Sequence, residues 1–320
     1  MYFVLEEDIN SLGGVQTYAR KLSEEFSDNK VILTSNGRKT LFNKSLPDKK
    51  QIKLVRKLQD EVIHFFGFSS FFVVFLLLFC SKGNKIVYTP CMHPFKDHRN
   101  PLFAKIFFNT FTRLALNKVH FLIALSEHEK HFFSKYISPD KIEVIPVGID
   151  RNEDAPLPAK KRKHVLFVGR DDENKRMNII EEVSAQLPDI EFVFVCDKKK
   201  TDVANKKYHT KISDYDLECL FKTAMVVVSP SKYESFSIVS AQALSFGVPI
   251  IISENVQIKS FLDQDVSKII RENKLKEDLI HAIEEFCFEL NTELINKCYN
   301  SSEKFMWDVL LEKYSDIYCY

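Results

Sequence analysis

Short apolar runs of strand length alternate along this chain with stretches whose apolar residues recur at helical spacing. This alternation is typical of βαβ units, in which helices connect parallel strands and cover both faces of the sheet. The pattern therefore predicts an α/β fold of doubly wound parallel sheets. The predicted strands are Tyr2–Leu5, Lys30–Leu33, Val62–Phe66, Lys85–Thr89, Phe121–Leu125, Ile142–Ile145, Val165–Val168, Phe192–Cys196, Met225–Val228 and Ile250–Ile252. The predicted helices include Val15–Phe26, Phe71–Phe79, Glu127–Tyr136, Met177–Gln186, Asp214–Phe221 and Phe236–Phe246.

The polar segment Asp150–His164 interrupts this alternation and contains two prolines, Pro156 and Pro158. A polar, proline-bearing stretch between predicted strands is typical of a linker. The chain of 320 residues is long enough for two domains. Ligands of doubly wound sheets bind at the carboxyl ends of the strands, so the cleft between two such domains is the expected site.

Composition excludes several other classes of protein. A formal net charge of +1 provides no global field for nucleic acid. The seven cysteines form no C-x-x-C pair, which indicates free thiols in a reducing cytoplasm rather than a zinc ribbon or a disulfide scaffold. The N-terminus lacks the pattern of a signal peptide. The uncharged stretch from Phe65 to Ser81 favours a buried strand, a turn and a buried helix over a membrane span, which needs about 20 apolar residues.

The stretch Ser229–Ile252 carries the clearest chemical signal. It contains an acid, Glu234, between a buried strand and a helix predicted to begin near Phe236. The free N–H groups and dipole of a helix N-terminus favour phosphate. A carboxylate just ahead of that helix is suited to accept hydrogen bonds from hydroxyl groups. The combination indicates a nucleotide-sugar site.

Two further loops have residues suited to the same ligand. Gly13 and Gly14 precede a predicted helix, and adjacent glycines allow a close approach of the backbone to phosphate or simply a turn. Gly169, Arg170 and Lys175 follow the strand Val165–Val168. Two cations there could neutralise a diphosphate leaving group, although a solvated charged loop has the same pattern.

The order of these motifs resembles that of the retaining GT-B glycosyltransferases of family 4, and the resemblance covers nearly the whole chain. It implies two Rossmann-like doubly wound domains with a deep interdomain cleft. The acceptor-side domain would span residues 1–152 together with a C-terminal crossing helix, 304–320, and the nucleotide-sugar domain residues 153–303. Besides the three loops above, the stretches that carry the resemblance are Asp60–His64, Ile123–Lys130, Lys141–Asp150 and Phe305–Tyr314.

The resemblance also implies roles for individual residues. Arg170 and Lys175 would hold the donor phosphates, and Glu234 would contact the sugar hydroxyls. The remaining donor-binding positions would be Gly13, Gly14, Gly169, Ser235, Phe236, Ser237, Ile238 and Gln242. Such enzymes use no cofactor and no metal; the donor, a UDP- or GDP-linked sugar, is a substrate. Two matches to D-x-D, the metal signature of a different glycosyltransferase fold, occur at 214–216 and 263–265 and are expected to arise by chance.

The chain departs from the family pattern at several positions. Gln242 stands where the family has a second glutamate, which binds the ribose hydroxyls. Cys91 stands where a histidine is common, so His93 either takes that catalytic role or the role is missing. Ser235 and Ser237 stand where that loop often has glycine.

The stretch 96–118 combines phenylalanines with lysines and arginines at helical spacing. We favour a helix that faces the core with a solvated back. The alternative is a basic, aromatic helix on the inner face of an anionic membrane, which would suit a lipid-linked acceptor.

The sequence thus predicts a cytoplasmic, metal-independent, retaining hexosyl- or N-acetylhexosaminyl-transferase of polysaccharide biosynthesis. Its substrates would be a nucleotide sugar and a glycan, a lipid-linked acceptor or a protein. Gln242 and Cys91 motivate an alternative, in which a catalytically weak homologue serves as a binding or activating subunit of another glycosyltransferase. A GT-B sugar-nucleotide epimerase is a third reading.

Overall fold

The computed structural model describes residues 1–11, 13–26, 31–35, 45–68, 70–94 and 100–319. These residues form two compact units. Unit 1 comprises Met1–Val147 with Leu310–Tyr320, and unit 2 comprises Gly148–Val309.

Unit 1 is built on a parallel sheet that has six strands within the described residues, in the order β2-β1-β3-β4-β5-β6. The strands are β1 (Tyr2–Val4), β2 (Val31–Leu33), β3 (Val62–Phe66), β4 (Lys85–Thr89), β5 (Phe121–Ala124) and β6 (Ile142–Val144). The helices between them are α1 (Gly14–Phe26), α2 (Lys49–Lys57), α3 (Phe71–Phe79), α4 (Pro101–Phe107), α5 (Arg113–Leu116) and α6 (Glu127–Phe133). A π-helical turn, Phe108–Thr112, joins α4 to α5.

Unit 2 repeats this architecture with a parallel sheet in the order β12-β11-β10-β7-β8-β9, again counted over the described part of the chain. Its strands are β7 (His164–Val168), β8 (Glu191–Val195), β9 (Lys206–His209), β10 (Ala224–Ser229), β11 (Ile250–Ser253) and β12 (Ser267–Ile270). Its helices are α7 (Met177–Ser184), α8 (Asp214–Thr223), α9 (Ile238–Ser245), α10 (Leu275–Glu289) and α11 (Thr292–Ser301). The last helix, α12 (Trp307–Cys319), begins in unit 2, and its residues from Leu310 onward belong to unit 1.

The two sheets confirm the predicted α/β doubly wound class. All the predicted strands are present, with ends that differ by one or two residues; Lys30, at the start of one, lies outside the described residues. Two strands, β9 and β12, were missed. They are the two edges of the unit 2 sheet, and edge strands need not be apolar because one side faces solvent.

The apolar stretch from Phe65 to Ser81 forms the end of β3 and the short helix α3, as predicted. Ser70 caps α3, since its hydroxyl accepts a hydrogen bond from the Val73 N–H at 3.3 Å. Nowhere in the described residues is there a helix with both the length and the apolar character that crossing a membrane requires.

A buried polar network holds α12 in unit 1. The Tyr318 hydroxyl lies 2.6 Å from Nδ1 of His64 on β3, and Thr89 Oγ1 lies 2.7 Å from its Nε2. The hydroxyls of Tyr18 on α1 and Tyr314 also bond to each other. Burial lowers the pKa of His64 well below 6.5, so its imidazole is neutral.

The segment predicted as a linker, Asp150–His164, belongs to unit 2. Arg162 anchors it, because its buried guanidinium donates to the carbonyl oxygens of Leu157, Ala224 and Phe246 at 2.9–3.1 Å. The segment is therefore packed against the body of unit 2.

Candidate functional site

Glu234 is the centre of a polar cluster in unit 2. Its Oε1 atom lies 2.9 Å from Lys175 Nζ and accepts hydrogen bonds from Ser229 Oγ at 3.0 Å and Ser231 Oγ at 2.6 Å. The side chains of Glu234 and Lys175 are only 14% and 19% exposed. Among the described residues Oε2 has no partner, so one carboxylate oxygen is saturated and the other can accept hydrogen bonds from a ligand.

Strand order brings these residues together. β7 and β10 are neighbours in the parallel sheet, so the loops that follow them leave the same edge. Gly169 directly follows β7, and a Cβ atom there would lie 3.4 Å from the Lys175 side chain and 3.1 Å from Phe167. The lysine stem therefore runs in van der Waals distance of Gly169 on its way to Glu234, and only the Phe167 ring would be crowded by a Cβ.

Hydrogen bonds to backbone carbonyl oxygens fix the two loops to each other. Asn174 Nδ2 donates to the Tyr233 carbonyl at 3.1 Å, and the Lys232 N–H donates to the Asn174 carbonyl at 2.8 Å. Arg176, at φ +55°, donates to the Pro230 carbonyl at 3.2 Å. Its guanidinium also forms a bidentate pair with Glu272. Sequence reasoning did not single out Asn174 or Arg176, because neither residue has a motif of its own.

Arg170 occupies a different environment from Lys175. Its side chain is 71% exposed and lies 3.2 Å from Asp172. The structure thus brings Lys175 and Glu234 into contact, while Arg170 stands at the outer side of the same loop, where a long flexible cation can reach a ligand.

The helix after Glu234 begins at Ile238, two residues later than predicted. Ser237 precedes it at φ +116°, a conformation that favours glycine, and its hydroxyl bonds Ser240 Oγ at 2.8 Å instead of capping the helix. No side chain therefore caps the first turn of α9 within the described residues, which leaves its N–H groups for an anion.

The other predicted donor positions on this segment differ in their surroundings. The Phe236 side chain is buried against the rings of Phe261 and Phe305, so its side chain belongs to the core and only its backbone is left for a ligand. Ser235 is half-buried beside it. Gln242 lies one helical turn after Ile238 on α9, and its side-chain amide has no partner among the described residues.

Three predicted site residues lie in unit 1. Gly14 opens α1, and neither Gly13 nor Gly14 has a positive φ. A Cβ at Gly13 would lie 2.2 Å from Gln16 Oε1, which is the end of a flexible side chain that can move aside. His93 is exposed in the turn after β4, whereas Cys91 is buried at φ +49°.

Comparisons with known proteins agree with this architecture. The profile described as Glycosyl transferases group 1 matches residues 149–304, and that described as Glycosyltransferase Family 4 matches residues 32–153. The chain is a GT-B glycosyltransferase of the family 4 type. The residues of the Glu234 cluster all lie within the first of these matches.

Individual proteins show the same likeness. An uncharacterized 41.2 kDa protein in the cps region of Klebsiella pneumoniae is 23% identical and covers 96% of both chains. The GDP-mannose:cellobiosyl-diphosphopolyprenol alpha-mannosyltransferase of Xanthomonas campestris is 24% identical over 61% of this chain and 56% of its own length. HepE of Anabaena, solved in complex with UDP and glucose, shares 13% identity over 98% of both chains with a TM-score of 0.74.

The two D-x-D matches have structural partners. Ser213 caps α8 by accepting from the Asp216 N–H at 3.1 Å, and its hydroxyl donates to the Asp216 carboxylate at 2.7 Å. Asp265 pairs with Lys297 at 3.1 Å. Asp216 therefore belongs to a helix start and Asp265 to an exposed ion pair.

Proposed function

We propose that this glycosyltransferase moves a hexosyl or N-acetylhexosaminyl group from a UDP- or GDP-linked donor to an acceptor hydroxyl. Transfer retains the anomeric configuration and needs no metal. The observation that carries the proposal is the Lys175–Glu234 pair, held at 2.9 Å between two cross-linked loops, of which the one with Glu234 leads directly into α9.

Each part of this site matches one part of a nucleotide sugar. The uncapped first turn of α9, at Ser237 and Ile238, suits a phosphate. Lys175, together with the exposed Arg170, neutralises the charge that develops as the nucleotide diphosphate departs, which is the role that a metal ion has in other enzymes. The open oxygen of Glu234 accepts hydrogen bonds from sugar hydroxyls.

The proposed chemistry follows from these positions. The bond between the anomeric carbon and the phosphate oxygen breaks, and the diphosphate leaves with the electron pair. The acceptor oxygen bonds to the anomeric carbon on the face that the diphosphate left, and its proton passes to the oxygen of the departing diphosphate. HepE was solved in complex with UDP and glucose, and the Xanthomonas relative is named for a GDP-mannose donor, so both bases belong in the donor screen. The cps-region relative supports a role in polysaccharide biosynthesis.

The test compares turnover in three variants. In Lys175→Ala and Arg170→Ala we expect kcat to fall by about 100-fold and about tenfold, respectively, because the first removes a partly buried charge and the second an exposed one. Lys232→Ala is the matched control, since this lysine lies in the same pair of loops but its ammonium group pairs with the exposed Glu173 instead of Glu234. Wild-type turnover in both test variants would refute the assignment.

Two further measurements test the finer claims. The proton NMR spectrum of the first-formed product reports its anomeric configuration, and inversion would exclude the retaining mechanism. Turnover after exhaustive treatment with EDTA should be unchanged, and activity that returns only on addition of a divalent cation would exclude metal independence.

We further propose that unit 1 contacts the inner face of an anionic membrane through α4, the π-helical turn and α5, and that the acceptor is lipid-linked. Leu102, Ile106 and Leu114 on this segment are 70%, 52% and 58% exposed. The same segment buries Phe107 and Phe108 in unit 1. The segment thus faces the core, as favoured from the sequence, and its exposed side carries these apolar residues beside polar ones such as Lys105, Asn109 and Arg113; residues 96–99 of the predicted stretch lie outside the described residues.

Charge supports this surface as a lipid contact. The sequence has no Asp or Glu between Asp97 and Glu127, while Lys105 and Arg113 accompany the exposed apolar side chains. Apolar side chains with flanking cations suit the boundary between headgroups and acyl chains of an anionic bilayer.

Co-sedimentation with vesicles tests this proposal. Wild type should bind vesicles of phosphatidylglycerol and phosphatidylcholine more tightly than pure phosphatidylcholine. The triple replacement of Leu102, Ile106 and Leu114 by serine should reduce binding by at least tenfold, and Lys105→Ala with Arg113→Ala should remove the preference for anionic lipid. Phe288→Ser, which alters a 93% exposed side chain in unit 2, is the control. Unchanged binding in both test variants would exclude the surface.

A further inference from the structure

Glu129, on the first turn of α6, is a fully buried carboxylate that connects two loops of unit 1. Its Oε2 accepts from the Leu125 N–H at 2.8 Å, and its Oε1 accepts from the Met92 N–H at 2.5 Å. Leu125 follows β5 and Met92 lies just after β4, and these strands are neighbours in the sheet. The carboxylate therefore joins two adjacent strand ends at the carboxyl edge, where ligands of such sheets bind.

Neither helix capping nor ion pairing accounts for this residue. Ser126 already caps α6, since its hydroxyl accepts from the Glu129 N–H at 3.3 Å. Within the described part of the chain no cation pairs with the Glu129 carboxylate. Burial raises its pKa to about 7, against the lowering effect of the two N–H groups. An apolar side chain would fill the same space without the cost of burying a carboxylate. The carboxylate differs from such a side chain because it accepts hydrogen bonds from two backbone N–H groups.

The contact at Met92 lies in the middle of the turn that contains His93. Cys91 on one side of it is buried in a left-handed conformation, at φ +49°, and His93 on the other side is exposed. A residue in that conformation persists only where its surroundings hold it. The Met92 N–H bond to Glu129 is such a restraint.

We propose that Glu129 is a positioning residue that fixes the turn Cys91–His93 so that His93 faces the acceptor side of the reaction. This inference rests on the proposed function, because His93 has a role only if the chain transfers a sugar. Glu129 itself touches neither donor nor acceptor in this proposal.

The protonation state of Glu129 affects the hydrogen bonds that hold the turn Cys91–His93. From the turn after β4, the titratable group that faces it is the buried thiol of Cys91, whose pKa is raised first by burial and then by the Glu129 charge. The segment after β5 contributes the Leu125 N–H, and on α6 the side chains of Glu127, His128 and His131 are exposed and that of Lys130 is half-buried. Protonation would replace an acceptor by a hydroxyl donor and weaken one of the two backbone contacts.

The experiment compares Glu129→Gln with Glu127→Gln, which removes an exposed charge from the same helical turn. A glutamine has a single acceptor oxygen, so one of the two N–H groups loses its partner. We expect kcat at pH 8 to fall about tenfold with the donor KM unchanged. The ratio of wild-type to variant kcat should shrink as the pH falls from 8 to 6, because the wild-type carboxylate is then protonated. Glu129→Asp, which keeps the charge on a shorter stem, should retain the pH dependence at a reduced rate.

Hydrogen exchange of the Met92 amide reports the turn independently of catalysis. Exchange about tenfold faster in Glu129→Gln, with no change in Glu127→Gln, supports the proposal. Wild-type exchange at Met92 together with a wild-type kcat and pH profile in Glu129→Gln would overturn it, as would an equal loss of kcat in Glu127→Gln. If no donor is turned over by the wild type, the proposed function fails and the Met92 exchange decides alone on the turn.

Discussion

Ser237 offers a sharp test of the loop between Glu234 and α9, because its backbone adopts φ +116° and ψ +86° immediately before that helix. This conformation is open to glycine and costs other residues of the order of 1–3 kcal/mol. Ser237→Gly should relieve that strain, and Ser237→Ala should keep it. Both variants lose the hydrogen bond to Ser240 Oγ, so that loss cancels when the two variants are compared.

The predicted difference follows from this cancellation. Glycine pays a larger entropy cost on folding, roughly 0.5–1 kcal/mol relative to alanine. Relief of strain exceeds that cost, so we expect Ser237→Gly to be more stable than Ser237→Ala by about 1–2 kcal/mol. The order is the reverse of the one found within ordinary helices, where alanine is the better residue by about 1 kcal/mol.

Urea denaturation followed by circular dichroism measures both variants. Ser315, within α12, is the control position, and there Ser315→Ala should be more stable than Ser315→Gly. If Ser237→Ala is as stable as Ser237→Gly, the backbone at this position is not strained and the geometry assigned to the start of α9 is wrong.

Three further predictions concern other positions. Gln242→Glu places a carboxylate at the position proposed to bind the ribose and should tighten donor binding by about 1–2 kcal/mol in calorimetric titrations; weaker binding would contradict the assignment. His64 has a pKa lowered well below 6.5 in the folded protein. Below pH 6.5 the unfolded chain therefore binds a proton at this position and the folded chain does not, so the free energy of unfolding falls as the pH falls. His64→Gln should therefore lose about 1 kcal/mol less than wild type between pH 7.5 and pH 5.5 in urea titrations. Gly148→Ala should lower stability by about 3 kcal/mol in the same assay, because the new Cβ would lie 2.3 Å from the Trp307 ring; a change within 0.5 kcal/mol, roughly that of an ordinary surface substitution, would contradict this.

The strands of the sheet and the loops of the site could be predicted from the sequence. Central strands of a parallel sheet are apolar throughout, so β3, β7 and β10 were legible as runs of hydrophobic residues. The short motifs around Gly169 and Glu234 follow such strands and were therefore placed at the correct edge of the sheet.

The contacts that depend on the order of the strands in the sheet could not be predicted from the sequence. Lys175 and Glu234 are 59 positions apart, and their contact follows from β7 lying beside β10 rather than from any local signal. Asn174 acts through its backbone and amide on the facing loop, and Glu129 acts on two strand ends at once. Such residues carry no spacing that distinguishes them from solvated polar residues.

The most direct test of the central claim is calorimetric titration of the wild-type chain with a panel of UDP- and GDP-sugars, followed by assay of donor hydrolysis. Under the proposed function, at least one donor binds and is slowly hydrolysed, and Lys175→Ala weakens both binding and hydrolysis of the same donor. Failure to bind any donor in the panel would contradict it and would favour a binding or activating subunit of another glycosyltransferase.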